Sequence, residues 1–424
     1  MRLMSDINIH FENKRASRIF FVFIWLMYAL VYMTKNCFSG ALSAIVAEGS
    51  LTLTQASWII ASFYIAYTPL QILGGIWADK YSPEKLITVG LVGSAISNVV
   101  IFFNQNFYVM LVSWVFSAII QFALWPAVFK IVSSQLVRSD RSKMVFFMQF
   151  SGSIGLIMSY GISAILPDWR YNFAISAVTL ALLAIVLQAF CIKLNPIVVR
   201  DRIPVKVTEV DPKDDPGRGM TKLAVFLSSG FVAIIPAVVL KTMVENSSKT
   251  FSPTMLSQSY ESISPSIGNI LNILIIIAGV CGTLLLKAFV FPKFIKNEFV
   301  CFLCILVVTL PFTILLRQVG TLPVWLIVVA LCFVCMLLSA TGYLTQHYNM
   351  NFVKYGLNGT AAGILNAGAS LAFTIQYCAF GPIAENLGWP VVTTLWIAMI
   401  VLSMVFVAIG IRPYINFLKK TSST

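Results

Sequence analysis

The chain has 424 residues, is 58% hydrophobic and only 11% charged, and its mean hydropathy is +0.88. That balance excludes an ordinary soluble domain and makes the protein integral to a membrane. The formal net charge of +13 does not point to nucleic acid, because the basic residues sit in short loops between apolar runs, as the positive-inside pattern requires.

Each apolar run has the ~20 residues needed to cross ~30 Å of hydrocarbon, so helices rather than short alternating strands are predicted. The chain reads as an all-α membrane protein with twelve transmembrane helices in two six-helix halves. The first span, Arg18 to Ala47, is too long for a cleavable signal and carries Lys35 within it, far from either end. A lysine near a bilayer centre costs roughly 3 kcal/mol on insertion scales and is kept mainly where it faces a bundle interior or a wet cavity. A negative partner is expected there. Tyr28, Tyr32 and Lys35 fall at i, i+4 and i+7, so two phenols and one ammonium share a helix face.

Further spans are expected at Gln55 to Trp77, Lys85 to Phe103, Phe107 to Gln135, Lys143 to Leu166 and Trp169 to Lys193. The second set runs Lys222 to Asn246, Ser266 to Val290, Phe299 to Leu316, Pro323 to Phe352, Thr360 to Ala384 and Trp389 to Phe417. Between them Asn195 to Met220 is rich in Pro, Asp, Lys and Arg, as a linker should be. The expected organisation is therefore a half at 1–194, a cytoplasmic linker at 195–220 and a half at 221–424. Sorting basic residues by alternate loops leaves only Arg170, Lys249 and Arg317 on one side. The other side holds fifteen, from Lys14 and Arg15 to Lys419 and Lys420, so both termini and the linker are expected in the cytoplasm, and the chain in the inner membrane as a multi-pass protein.

Cys301/Cys304 and Cys332/Cys335 have CxxC spacing inside apolar runs with no His or Asp nearby, and read as packing residues rather than a metal site. No cofactor is implied. QFSGSIGLIMSYGISAILPDW in the fifth span resembles NAGASLAFTIQYCAFGPIAENLGW in the eleventh, both glycine-dotted and ending at a Trp. Parallel halves with a site between them are one recurring route to alternating access, which makes transport the leading class.

After the second span comes GGIWADKYSPEK, Gly74 to Lys85. Its glycines, Gly75 among them, let a helix end approach a neighbour; Asp79 suits a helix N-terminus, and Lys80 and Lys85 suit the cytoplasmic face. In a chain of six plus six spans this resembles the signature of the major facilitator superfamily. Ser82 and Pro83 stand where the usual signature has Gly, which looks like the organophosphate/phosphate antiporter branch, with its glycerol-3-phosphate and hexose-phosphate carriers. Tyr28, Tyr32 and Lys35 match that branch's first helix, with Lys in place of Arg; Tyr67 in IAYTPLQ matches its second-helix tyrosine. Gln121, Trp125 and Pro126 in QFALWP, followed by Lys130, match the fourth. AGVCGTLL (278–285) and GTAAG (359–363) resemble the eighth and eleventh segments.

The resemblance implies a carrier that binds a phosphorylated or otherwise anionic metabolite between basic residues of the first and seventh helices. Lys35 keeps the charge but lacks the bidentate fork that suits phosphate. On the seventh helix an ungapped match through FSPTML puts Glu245 at the family's Arg, whereas a one-turn shift puts Lys241 there. Lys241 contributes to the anion clamp with Glu245 as proton or charge partner, or the two form an internal pair. Lys130 either snorkels or stands at a cavity mouth. His347 is a candidate proton carrier or a solvated cytoplasmic-end histidine.

The expected function is secondary transport of a small organic anion by a monomer in the lipid bilayer, coupled to phosphate exchange or proton symport. Lys35 would attract the anion, Tyr28, Tyr32, Tyr67 and Gln121 would orient it, and Trp125 would pack against its apolar part. A receptor that uses a carrier fold to sense an organic phosphate, or a transporter of a zwitterion, is the alternative. A primary pump lacks a nucleotide-cradling GxxxxGK[ST] loop, a channel lacks a repeated filter, and no nucleophile and base pair marks an enzyme.

Overall fold

The computed structural model describes residues 7–10, 13–194, 199–202 and 222–422. It divides into two compact units, Met1–Val207 and Thr208–Thr424. In the first, β1 (Ile7–His10) precedes α1 (Lys14–Lys35), α2 (Cys37–Glu48), α3 (Leu53–Lys80), α4 (Pro83–Phe103), α5 (Phe107–Gln121), α6 (Leu124–Lys130), α7 (Arg138–Ile165), α8 (Tyr171–Leu194) and β2 (Val199–Arg202). The second holds α9 (Lys222–Ser228), α10 (Phe231–Thr250), α11 (Ser252–Ser259), α12 (Pro265–Leu285), α13 (Glu298–Leu315), α14 (Val324–Asn349), α15 (Asn358–Leu387) and α16 (Trp389–Ser422).

Among the described residues, ten helical stretches are long and apolar enough to cross a membrane, where the sequence leads one to expect twelve. The two that fall outside this set, α3 and α15, have 28 and 30 residues. Length is not what they lack. Tyr64, Tyr67, Thr68 and Gln71 dilute α3, and Asn366, Thr374 and Gln376 dilute α15, which also has four glycines along its length. A further departure is the antiparallel β1–β2 ribbon, which pairs Ile7 with Arg202 and His10 with Val199. The rest of the expected linker, 195–198 and 203–220, lies outside the described residues.

Three expected spans are broken where local chemistry interrupts the ladder. The first stops for one residue at Asn36, directly after Lys35, and the Asn36 amide bonds back to the Tyr32 carbonyl at 2.8 Å. The fourth breaks at Phe122 and Ala123 because Pro126 offers no N–H to the carbonyl four residues earlier, that of Phe122. The seventh starts at Phe231 rather than Lys222, since Gly230 takes a left-handed φ of +76° that ends α9. It then breaks again before Pro253, whose missing N–H leaves the Lys249 carbonyl without an intrahelical donor. Asn272 of α12 supplies that donor at 2.6 Å, and its own carbonyl accepts from Ser252 at 2.8 Å.

Helix neighbours recur from one unit to the other. In the first, α1 packs on α7, α4 on α8 and α5, and α3 on α5; in the second, α10 packs on α15, α13 on α16 and α14, and α12 on α14. Small residues bring α7 against α1: a Cβ on Gly155 would stand 2.2 Å from the Ala29 carbonyl, and one on Gly152 would stand 3.3 Å from the Tyr32 ring. Dispersion and close backbone approach, rather than water exclusion, hold such helices together in lipid. A second parallel closes the end of each unit. Trp169, just after α7, donates its indole N–H to Glu48 at the end of α2, and Trp389, at the start of α16, donates to Gln258 in α11 at 2.8 Å.

Candidate functional site

The first unit gathers aromatic rings around Lys35. Its Nζ lies 4.4 Å from the centroid of Tyr67, 4.9 Å from Phe63, 5.4 Å from Tyr64 and 5.7 Å from Tyr32. Each is within cation–π range, worth about 0.5–2 kcal/mol depending on how dry the contact is. The expected negative partner is not a carboxylate of this protein: among the described residues none comes within ion-pairing distance of Lys35. Four π faces stabilise the ammonium and leave its formal charge uncancelled. The break at Asn36 also places Lys35 in the last turn of α1, where the carbonyl end of the helix dipole favours a cation.

Of the other residues singled out from the sequence, Tyr28 stands edge-on to Tyr32 at 5.4 Å and tilted against Trp125 at 4.8 Å, so these three form one aromatic wall. Tyr67 stacks on Phe63 at 5.5 Å. Gln121 is buried, and its amide donates to Ser117 one turn back at 3.0 Å. Phe63 and Tyr64 escaped the sequence reading, although Phe63 sits one turn before Tyr67 on the same face.

The signature stretch is more helical than expected, because Gly74, Gly75, Asp79 and Lys80 belong to the last turns of α3, and only Tyr81 and Ser82 link it to α4. The close approach belongs to Gly74 rather than Gly75. A Cβ on Gly74 would lie 2.4 Å from the Phe122 carbonyl oxygen, the one that Pro126 leaves unpaired, whereas a Cβ on Gly75 would meet nothing within 4 Å. The Asp79 side chain lies outside the described residues. Lys130 neither snorkels nor stands free: its Nζ donates to the Ala78 carbonyl at 2.6 Å and so caps the C-terminal end of α3.

In the second unit Lys241 Nζ donates to Glu245 Oε2 at 2.8 Å, and Lys249 Nζ donates to Glu245 Oε1 at 2.6 Å. Lys249 is therefore no loop residue but the last-turn lysine of α10, at i+8 from Lys241. Ser339 of α14 completes the set, donating to Glu245 Oε1 at 2.8 Å and accepting from Lys249 at 3.0 Å. A Lys-x₃-Glu-x₃-Lys spacing was the available signal for Lys249; nothing in the sequence marked Ser339. His347 is likewise partnered, its Nδ1 lying 2.7 Å from Oε1 of the buried Glu298, whose other oxygen accepts from Tyr414 at 2.7 Å. Among the described residues, no group of three or more His, Cys, Asp or Glu side chains gathers to hold a metal.

Polar groups of this kind, set inside a bundle of membrane-crossing helices, suit solute passage rather than bond making. The Major Facilitator Superfamily profile matches residues 24–376. The chain belongs to that superfamily. This is a transporter family, not an enzyme family. It superposes on solved structures along nearly its whole length. A bacterial homologue of the human lysosomal transporter Spinster aligns over 96% of this chain and 98% of its own, with a TM-score of 0.65 and 16% identity. At that identity the likeness concerns the fold. Two curated relatives match in part: the membrane sensor protein UhpC of Escherichia coli, 29% identical over 118 residues (28% of this chain, 27% of that protein), and a probable hexose phosphate transport protein of Chlamydia trachomatis, 22% identical over 156 residues (36% and 34%). The chain thus matches about a quarter to a third of the length of these relatives.

Proposed function

We propose that this superfamily member is a secondary carrier of a small organic anion, phosphorylated or carboxylated, working by alternating access between halves at 1–194 and 221–424. The observation that carries the reading is the Lys35 ammonium, deep in a membrane helix, surrounded by rings and with no carboxylate in ion-pairing contact among the described residues. A solute of opposite charge then has something to gain by entering. In this reading α3 and α15 complete twelve spans, their polar residues turned to protein or water instead of lipid. Tyr28, Tyr32, Tyr67 and Trp125 shape the site, and both termini face the cytoplasm as the loop charges direct. The partial likeness to a probable hexose phosphate transporter supports an oxyanion as cargo.

The likeness to a sensor protein favours one second reading, in which the same site senses its anion without moving it. Purified protein is to be screened by thermal shift against glucose 6-phosphate, sulfoacetate, succinate and zwitterionic amino acids, and the binders tested for exchange in proteoliposomes. A carrier stabilises with an anion and exchanges it, and Lys35→Gln loses both. Binding without exchange selects the sensor; binding untouched by Lys35→Gln removes the site.

A further inference from the structure

Behind the break in the first span lies a small polar cavity. About 10 Å³ of it is open to the centre of a water molecule, and Met33, Cys37, Ser159, Ile162, Asn172 and Ser176 are among its lining. The four polar members come from α2, α7 and α8 and are each 3% exposed or less. Met33 and Cys37 stand two residues either side of Lys35, so the cavity lies across the helix from the ammonium. Asn172 accepts from Ser163 at 2.7 Å and donates to the Trp169 carbonyl at 3.0 Å, and the Cys37 thiol meets Asn98 Oδ1 at 3.6 Å. Ser159 is the exception, because its buried hydroxyl finds no hydrogen-bond partner among the described residues. A buried helical serine commonly bonds back to a carbonyl three or four residues earlier, as Ser151 does to Met148 and Ser94 to Gly90. Ser159 forgoes that bond and lines the cavity instead.

We propose that this cavity is a binding site for one water molecule. The water donates to Ser159 Oγ and to the second lone pair of Asn172 Oδ1, and it accepts from the Ser176 hydroxyl. Three partners are the usual number for an internal water, and the volume suits a single molecule. A cation is a poor occupant, since no carboxylate lines the cavity and the Lys35 ammonium stands on the other side of the same turn. Nor has α2 room to fill the space with a side chain at its point of closest approach: a Cβ on Gly40 would lie 3.1 Å from Ser159 Oγ and 2.5 Å from Ser163 Oγ. In hydrocarbon bulk water cannot repair an unpaired hydroxyl, and a trapped molecule does so. The consequence is support for the helix that carries the site. Its broken turn has Lys35 and the rings of α3 on one face, and on the other a water that links α7 to α8. This holds whether the protein moves its anion or only senses it.

The test joins a density map to thermal melts, both on the purified full chain. A wild-type map that resolves ordered solvent is expected to show a single peak within hydrogen-bond distance of Ser159 Oγ, Asn172 Oδ1 and Ser176 Oγ. A dry cavity, or a Ser159 hydroxyl turned back onto the Gly155 carbonyl, overturns the proposal; that measurement needs no variant to fold. In detergent, Ser159→Ala and Ser176→Ala are each expected to lower the melting temperature by about 2–4 °C. The double variant should melt no lower than the worse single, because both changes lose the same water. If Ser159→Ala melts at or above the wild type, the hydroxyl had no partner and the water is not there. A double variant whose loss is the sum of the two singles also overturns the shared site.

Discussion

The two units solve one problem, a lysine inside a membrane bundle, by opposite means. Around Lys35 the first unit places four aromatic rings and, among the described residues, no acid, so the charge is stabilised but still available. Around Lys241 the second places Glu245, whose carboxylate also accepts from a second lysine, Lys249, so the cation is met by an internal counter-ion. The scaffolds beneath are alike, with the same helix pairings and the same tryptophan clasp. The difference teaches that the helix packing sets where a cation stands, while its immediate neighbours set whether it attracts a ligand or waits behind an internal counter-ion.

The sharpest way to break this comparison is to remove one ammonium from each unit. Lys35→Gln deletes the only lysine of its ring cluster and is expected to weaken anion binding about 10- to 100-fold, the size of a charge-assisted contact. Lys241→Gln leaves Lys249 in place and should cost less than about 10-fold. Equal losses in titrations of the two variants would show that the units are not used differently.

Packing comes next. Gly155→Ala drives a methyl into the Ala29 carbonyl, where backbone has nowhere to move, and should lower stability by about 1–3 kcal/mol in detergent melts. Gly368→Ala in α15 meets only the Val239 side chain at 3.2 Å and should stay within about 0.5 kcal/mol. If both variants melt alike, the close α1–α7 approach adds nothing to stability; the second unit's counterpart of Gly155 is Gly282, whose Cβ would lie 2.0 Å from the Met336 carbonyl.

Smaller still is the clasp. Trp169→Phe and Trp389→Phe each remove one hydrogen bond worth about 0.5–1.5 kcal/mol, with the first at the upper end because its acceptor is a carboxylate. Arg170, which also pairs with Glu48 at 3.0 Å, should limit the damage there, and Arg170→Gln combined with Trp169→Phe should cost more than either alone.

The least effect belongs to Asp140, held below the usual carboxylate range by the hydrogen bond from Arg18 at 2.8 Å across the start of α1 and α7. Its folded-state value lies below its unfolded one, so its contribution is present above about pH 4 and fades as pH falls through the folded value. Asp140→Asn should therefore melt slightly earlier than wild type at pH 7, and the gap should close in acid. A gap that widens in acid would reverse the assignment. The pair is solvent-exposed and screened, so the effect is small.

Much of the site's chemistry was legible from residue type and helical spacing. Lys35, Tyr28 and Tyr32 declared themselves because a charge and two phenols repeat on one face of an otherwise apolar run, and Lys241 and Glu245 because they lie one turn apart. Lys249 was misplaced because a proline break four residues on looks, in sequence, like the end of a span; in the structure the helix carries through to Thr250 and Asn272 repairs the carbonyl. Nor did the sequence show that the Gln121 amide donates to Ser117 one turn back.

By itself the sequence determined that the chain crosses a membrane as helices and which helix carries a lysine far inside its apolar run. Those follow from the energetic cost of polar groups in hydrocarbon, a cost paid locally along the chain. Only the tertiary structure decided what surrounds each charge: rings from α3 around Lys35, and Ser339 from α14 beside Glu245. Those neighbours lie tens of residues away, and which of them arrive depends on small residues such as Gly155 letting backbones meet, a property of packing that no single stretch encodes.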